Sequence, residues 1–179
     1  MTLTDPKTVD LIGLPVAATN YHQAIEWIQA AALSGDRAYA VEAANTHVAA
    51  LARHDQSFGE AMAKFDLICP DGMPLVWLLN QQLKQSAKLT DRVYGPTLML
   101  KTIEASENQQ QLKHFFFGGS PDTLDKLEKR FSEDYPNAQI AGTYSPPFGT
   151  WPDDEFERVC KKIIESKANL VWVGLGCPK

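Results

Sequence analysis

Apolar positions in this chain switch repeatedly between short runs with β-type spacing and longer stripes at three- and four-residue spacing, a pattern that predicts an α/β fold. VDLIGLPVAA (9–18) reads as extended. Asn20 follows as a helix N-cap, and Tyr21, Ala24, Ile25, Ile28 and Ala32 keep helical spacing until Gly35. RAYAVEAA (37–44) reads as a strand, followed by two short helical stretches, NTHVAALARHD and QSFGEAMAKFD, and then by the strand DLIC (66–69). MPLVWLLNQQLK is predicted helical despite Pro74, because a first turn does not need the missing N–H. PTLMLKTIEASE continues at helical spacing.

The second half repeats the alternation. KHFFFGG (113–119) is a strand ending in glycines, and Ser120-Pro121 supplies an N-cap and first helical residue for a helix to about Tyr135. AQIAGTY is a strand, EFERVCKKIIESK a helix, and ANLVWVGLG (168–176) a nearly continuous apolar strand expected to be buried on both faces. The expectation is a Rossmann-like α/β domain over residues 1–179, its mostly parallel sheet flanked by helices. Lys179 falls where a crossover helix should begin, so the reading includes a C-terminal truncation.

With 17 Lys and Arg against 22 Asp and Glu, the formal charge of −5 argues against a broad nucleic-acid-binding surface. Cys69, Cys160 and Cys177 have neither disulfide-framework nor zinc spacing and fit a reducing, cytosolic setting. No window approaches the ~20 apolar residues of a membrane span, so membrane contact here would be peripheral.

Ligands of open α/β sheets sit beyond the carboxyl ends of strands. Four loops in such positions have unusual composition: AANTHV (43–48), PDGMP (70–74), GGSPD (118–122) and GLGCPK (174–179). Asp71 either caps the helix starting near Met73 or stands free as a base, with Gly72 admitting close approach of a ligand. Gly118, Gly119, Gly174 and Gly176 are either tight turns or an approach for phosphate; FFFGGSP lacks the full dinucleotide fingerprint. Arg92 either pairs with Asp91 or holds a phosphate with its planar fork. His47 reads as a packed or polar-face residue, because no second ligand stands at metal spacing. The four tryptophans read by default as core, with Trp151 in a loop that could touch a ligand.

Taken in order, NTHV (45–48), PDGMP (70–74), DRVYG (91–95), FFFGGSP (115–121), YPNAQIAG (135–142), PPF (146–148) and VGLGCPK (173–179) resemble the WecG/TagA/CpsF glycosyltransferases, glycosyltransferase family 26. The resemblance covers nearly the whole chain. It implies a metal-independent, inverting transfer of an N-acetylmannosamine-type sugar from a UDP donor to an undecaprenyl-diphosphate-linked acceptor, in cell-envelope polysaccharide synthesis. It implies a peripheral enzyme on the cytoplasmic membrane face, with no cofactor and no nucleic-acid partner. The chain has no DxD triplet, consistent with metal independence, so arginine, lysine or backbone donors would stabilise the leaving diphosphate.

Carried over residue by residue, the resemblance makes Asp71 the general base and Arg92 a phosphate contact. Asn45 would orient donor or acceptor with Thr46 beside it, and Gly72, Gly95, Gly118, Gly119, Gly174, Gly176 and Lys179 would line the substrate. Two positions depart from the family: Ala43 stands where a threonine is frequent, and Thr97 where a carboxylate is common. The family also continues past Pro-Lys with a basic segment that helps form the site and meets the membrane, so weak or absent activity is expected of these residues alone. Uncovered apolar sheet edges would favour a homo-oligomer. The rival reading is a catalytically inactive nucleotide-sugar-binding module; a nicotinamide oxidoreductase is disfavoured by the missing fingerprint.

Overall fold

The computed structural model describes residues 3–176. The described residues form a mixed α/β, Rossmann-like structure with parallel sheets flanked by helices. The chain divides into two compact units, Met1–Lys101 and Thr102–Lys179.

In the first unit, β1 (Thr8–Leu11) and β2 (Leu14–Ala17) form an antiparallel hairpin, while β3 (Val41–Ala44) and β4 (Leu67–Pro70) pair in parallel. The helices are α1 (Tyr21–Ser34), α2 (Thr46–His54), α3 (Gln56–Met62) and α4 (Met73–Gln82). The start of α5 (Gly95–Ser106) closes the unit. The predicted ends of α1 are found: Asn20 and Gln23 form a reciprocal capping box, and Gly35 stops the helix in a left-handed conformation. Val9, Leu11, Leu14 and Val16 from the hairpin share a core with Ile68 of β4 and with Leu75 and Leu79 of α4. Alternate positions of the hairpin thus fill the space between strand and helix.

The second unit holds a three-stranded parallel sheet of order β6 (Gln139–Tyr144), β5 (Lys113–Gly118), β7 (Leu170–Gly174), with α6 (Pro121–Asp134) and α7 (Glu155–Ser166). Twofold alternation along β5 sorts its aromatic residues between the two faces. Phe116 stacks on Phe131 of α6 at 5.2 Å, while Phe115 and Phe117 join Val159 of α7 in a separate cluster.

Three sequence expectations need correction. Residues 9–18 are not one extended segment, because Ile12 and Gly13 both take positive φ and turn the chain back. The turn is held by the Gly13 N–H donating to the Asp10 carboxylate at 3.0 Å, and two such residues are what a two-residue hairpin loop requires. β7 is not buried on both faces: Val171 is 36% and Val173 63% exposed. Among the described strands β7 is a sheet edge, with α7 packed over β5 and β6. Trp77 is not core but 60% exposed, on the outer side of α4 from Leu75, Val76 and Leu79.

One buried polar chain ties the second unit together. Trp172 Nε1–H of β7 donates to His114 Nδ1 of β5 at 3.0 Å, which assigns the remaining ring proton to Nε2. Nε2–H then donates to Ser106 Oγ at 2.8 Å, and Ser106 donates onward to the Ile103 carbonyl at 2.7 Å. Every member is satisfied only if His114 is neutral, and burial holds its pKa down to about 4, against 6.5 when solvated. Between those values the unfolded chain binds a proton that the folded chain refuses, so stability falls as pH drops from 6.5 toward 4. The loss attributable to this group is on the order of 3 kcal/mol. Denaturant unfolding at pH 7, 5.5 and 4 is expected to show that loss, and His114→Gln is expected to flatten it.

Candidate active site

In the first unit the segments after β3 and β4 leave neighbouring parallel strands at their carboxyl ends, where Ala44 is in register with Pro70. The Asp71 N–H donates to the Ala44 carbonyl at 2.8 Å and the Val93 N–H to the Pro70 carbonyl at 2.8 Å, so residues 70 and 71 are held between β3 and the 91–95 segment. On that scaffold the Gly95 N–H donates to Asp71 Oδ2 at 3.4 Å, a long bond. Gly95 fits because a Cβ there would approach the Ala43 Cβ to 3.3 Å.

Of the two roles open to Asp71, capping is excluded: Gly72 is the N-cap residue of α4, and no side chain caps that helix. The carboxylate is half-buried, and burial raises its pKa above the usual aspartate value. The Gly95 N–H and the charge of Arg92 act in the opposite direction. Raised basicity in a half-open position suits a proton acceptor.

Sequence reasoning missed Glu42 on β3. Among the described residues no hydrogen bond or ion pair reaches its carboxylate, and its pKa is raised by burial and then by the Asp71 charge. The only sequence signal was a glutamate inside an otherwise apolar strand. Cys69, buried between these two acids in charge terms, is pushed up to about 12, first by burial and then by Glu42 and Asp71; it is a neutral thiol at physiological pH.

Asn45 plays a part its motif did not show. Its side-chain oxygen caps α2, accepting the His47 N–H at 2.9 Å and the Val48 N–H at 3.2 Å. No hydrogen bond among the described residues engages its amide nitrogen, and Thr46 and His47 are exposed beside it. Arg92 is exposed with its guanidinium 4.9 Å from the Tyr94 ring centre. Asp91 binds the backbone N–H of Arg92 at 2.8 Å and makes no ion pair with its side chain.

In the second unit Gly118 and Gly174 end β5 and β7 in register. Gly118, at φ 120°, is required by its neighbour, since a Cβ would lie 2.4 Å from the Gly174 carbonyl oxygen. Gly119 and Gly176 also have positive φ, with no backbone crowding them. Trp151 packs on Phe117 at 6.0 Å. Lys179 lies outside the described residues. Among the described residues no three His, Cys, Asp or Glu side chains gather at metal-binding distance, and no helix is long and apolar enough to cross a membrane.

Parallel strands whose carboxyl ends carry a half-buried acid in one unit and close-packed glycines in the other define a Rossmann-like α/β protein with its polar features at strand ends. The chain belongs to the WecG/TagA/CpsF family of glycosyl transferases, whose family model matches residues 9–179. It is 23% identical over 172 residues to an N-acetylglucosaminyldiphosphoundecaprenol N-acetyl-beta-D-mannosaminyltransferase of Bacillus subtilis (strain 168), covering 96% of this chain and 64% of that protein. It is 27% identical over 173 residues to a protein of the same name from Staphylococcus aureus (strain NCTC 8325 / PS 47), with the same coverages. The chain thus spans somewhat less than two thirds of the length of these relatives.

Two outcomes test this geometry. Glu42→Gln removes an unpaired charge, so it is expected to raise the melting temperature at pH 7, with the gain vanishing in acid where Glu42 is protonated folded and unfolded alike. Gly118→Ala drives a methyl group into the backbone of β7 and is expected to destabilise the second unit by about 3 kcal/mol or more, read by hydrogen exchange of the β5 and β7 amides.

Proposed function

We propose that this chain forms the donor-binding and catalytic part of a glycosyltransferase that moves an N-acetylmannosamine-type sugar from a UDP donor to a polyprenyl-diphosphate-linked amino sugar. Family membership and the printed activity of the relatives support the reaction class. The observation that carries the reading on this chain is the Asp71 carboxylate: uncapped, half-buried, raised in pKa and steered by the Gly95 N–H.

In the proposed step Asp71 takes the proton of the acceptor hydroxyl as its oxygen attacks the anomeric carbon of the donor sugar, and the UDP diphosphate leaves from the opposite face with inversion. Without a metal, the leaving charge is met by backbone N–H groups and cationic side chains. The Asn45 amide group orients a sugar. The enzyme works peripherally on the cytoplasmic membrane face, where a lipid-linked acceptor would be found. A binding module without turnover is the second reading, favoured by Ala43, which removes a hydroxyl from the face of β3 that Gly95 packs against.

Asp71→Asn keeps the shape and removes the basicity. The expected result is a fall in kcat of about 10²- to 10⁴-fold with UDP-sugar binding retained, measured by release of UDP in the presence of lipid-linked acceptor. The wild-type rate should fall as pH drops through the raised pKa of Asp71, because the base must be ionised, and the acid limb should therefore lie above 3.8. Undiminished turnover in the variant sinks the assignment; nucleotide-sugar binding without UDP release from either protein favours the binding module.

A further inference from the structure

The helix that leaves the Asp71 turn has an outer face unlike those of its neighbours. Gly72 is the N-cap of α4, directly after Asp71, and α4 alone among the described α-helices carries no ionisable side chain. Its core side is filled by Leu75, Val76 and Leu79, all buried. Helical spacing puts Met73, Pro74 and Trp77 on the opposite side, where Pro74 is exposed and Trp77 is 60% exposed. A surface helix ordinarily turns charged residues to water. Here an indole stands in that position, and among the described residues no hydrogen bond engages its N–H. The polar residues of α4 come only in its last turn, as Asn80, Gln81 and Gln82.

Charge indicates what covers this face. The chain as a whole has a formal charge of −5, yet residues 72–90 hold Lys84 and Lys88 and no acid. Both lysines are exposed, and no ion pair among the described residues engages either ammonium. An apolar outer face with an indole at its centre and cations just past its end is the composition of a helix that lies in a lipid interface. There tryptophan keeps its ring among the head groups, and lysines meet anionic lipid. A second copy fits less well, because an isologous contact would gather the lysines of both chains with no acid from 72–90 to answer them. We infer that the outer face of α4 docks on an anionic lipid surface, with Trp77 as its apolar anchor and Lys84 and Lys88 as its charge contacts. The inference rests on the proposed reaction, whose lipid-linked acceptor stays in the bilayer, so the surface beside the base has to come to the lipid. Trp77 lies about 6 Å along the helix axis from Met73, so docking there brings the Asp71 turn to the interface.

Vesicle flotation tests the surface on this chain, with phosphatidylcholine alone and with phosphatidylglycerol mixed in. The proteins compared are the wild type, Trp77→Ala, Trp77→Phe, Lys84→Gln, Lys88→Gln and, as a control, Phe156→Ala, which removes an exposed aromatic of the second unit. Binding is expected on the anionic vesicles, weakened by added salt. It should be about tenfold weaker in Trp77→Ala and about fivefold weaker in each lysine variant, with Phe156→Ala within about twofold of the wild type. Brominated acyl chains should quench the tryptophan emission of the wild type, and Trp77→Phe should bind yet lose that quenching. Trp77 is exposed, so an unchanged melting temperature is expected to confirm that Trp77→Ala folds. A wild type that ignores anionic vesicles overturns the inference, as does an equal loss in Phe156→Ala or undiminished binding by Trp77→Ala. A dimer that forms without lipid and disappears in Trp77→Ala would assign the face to a second copy and also overturn it. Vesicle binding needs neither donor nor base, so a fully active Asp71→Asn enzyme would remove the assigned base while flotation still decides this surface.

Discussion

The Asp71 carboxylate is where it is because three hydrogen bonds hold the turn after β4: the Asp71 N–H to Ala44, the Val93 N–H to Pro70, and the Gly95 N–H to the carboxylate itself. The first fixes the turn to the neighbouring strand, the second brings in the segment that starts α5, and the third orients the acid. All three use main-chain donors, so the scaffold tolerates side-chain variation except where bulk intrudes. Gly95 against Ala43 is that place, since any larger residue at 95 would press on the β3 side chain and lift the N–H from the carboxylate. A threonine at 43, the frequent residue in the resemblance, would add its hydroxyl at this same contact. Its absence leaves Gly95 as the only described hydrogen-bond donor to Asp71.

The first unit accepts an electrostatic cost at this point that the second unit avoids. Glu42 and Asp71 are both partly withdrawn from water, neither forms an ion pair, and the Asp71 charge further disfavours ionisation of Glu42. His114 shows the alternative: a fully buried titratable group with a donor and an acceptor matched to its two nitrogens, stable because it stays neutral. The contrast distinguishes a polar group that serves packing from polar groups kept under tension, and strain of the second kind concentrates where a protein handles ligands or protons.

The fold class was legible because hydrophobic period and capping agreed. Asn20 and Gly35 bracket α1, and Ser120-Pro121 opens α6. The errors came where one residue carries information that a periodicity average removes. Ile12, a β-branched residue at positive φ, hid the hairpin turn inside an apolar run. Trp77 satisfied helical spacing yet lies outside the apolar face, and Val171 and Val173 are apolar without being covered, because burial depends on which strand lies at the edge. At the site, Asp71 was visible as an acid between proline and glycine. What sequence could not decide was whether it capped α4, because capping depends on a backbone hydrogen bond. Asn45 illustrates the converse, a motif residue whose oxygen turns out to be a helix cap. Glu42 and Lys88 were missed for a related reason: each is an ordinary residue type, and only its lack of partners in a particular place gives it meaning.

Two kinds of polar feature in the chain differ in physical character. The glycine strand ends of the second unit have main-chain geometry fixed by the close approach of Gly118 to Gly174, a rigid arrangement in which even a methyl group does not fit. Lys88 and Arg92 of the first unit are instead long, exposed, rotatable cations, which follow a charge without fixing its position. The first kind is set by backbone packing and is disrupted by any added Cβ, whereas the second tolerates a change of side chain without cost to the fold.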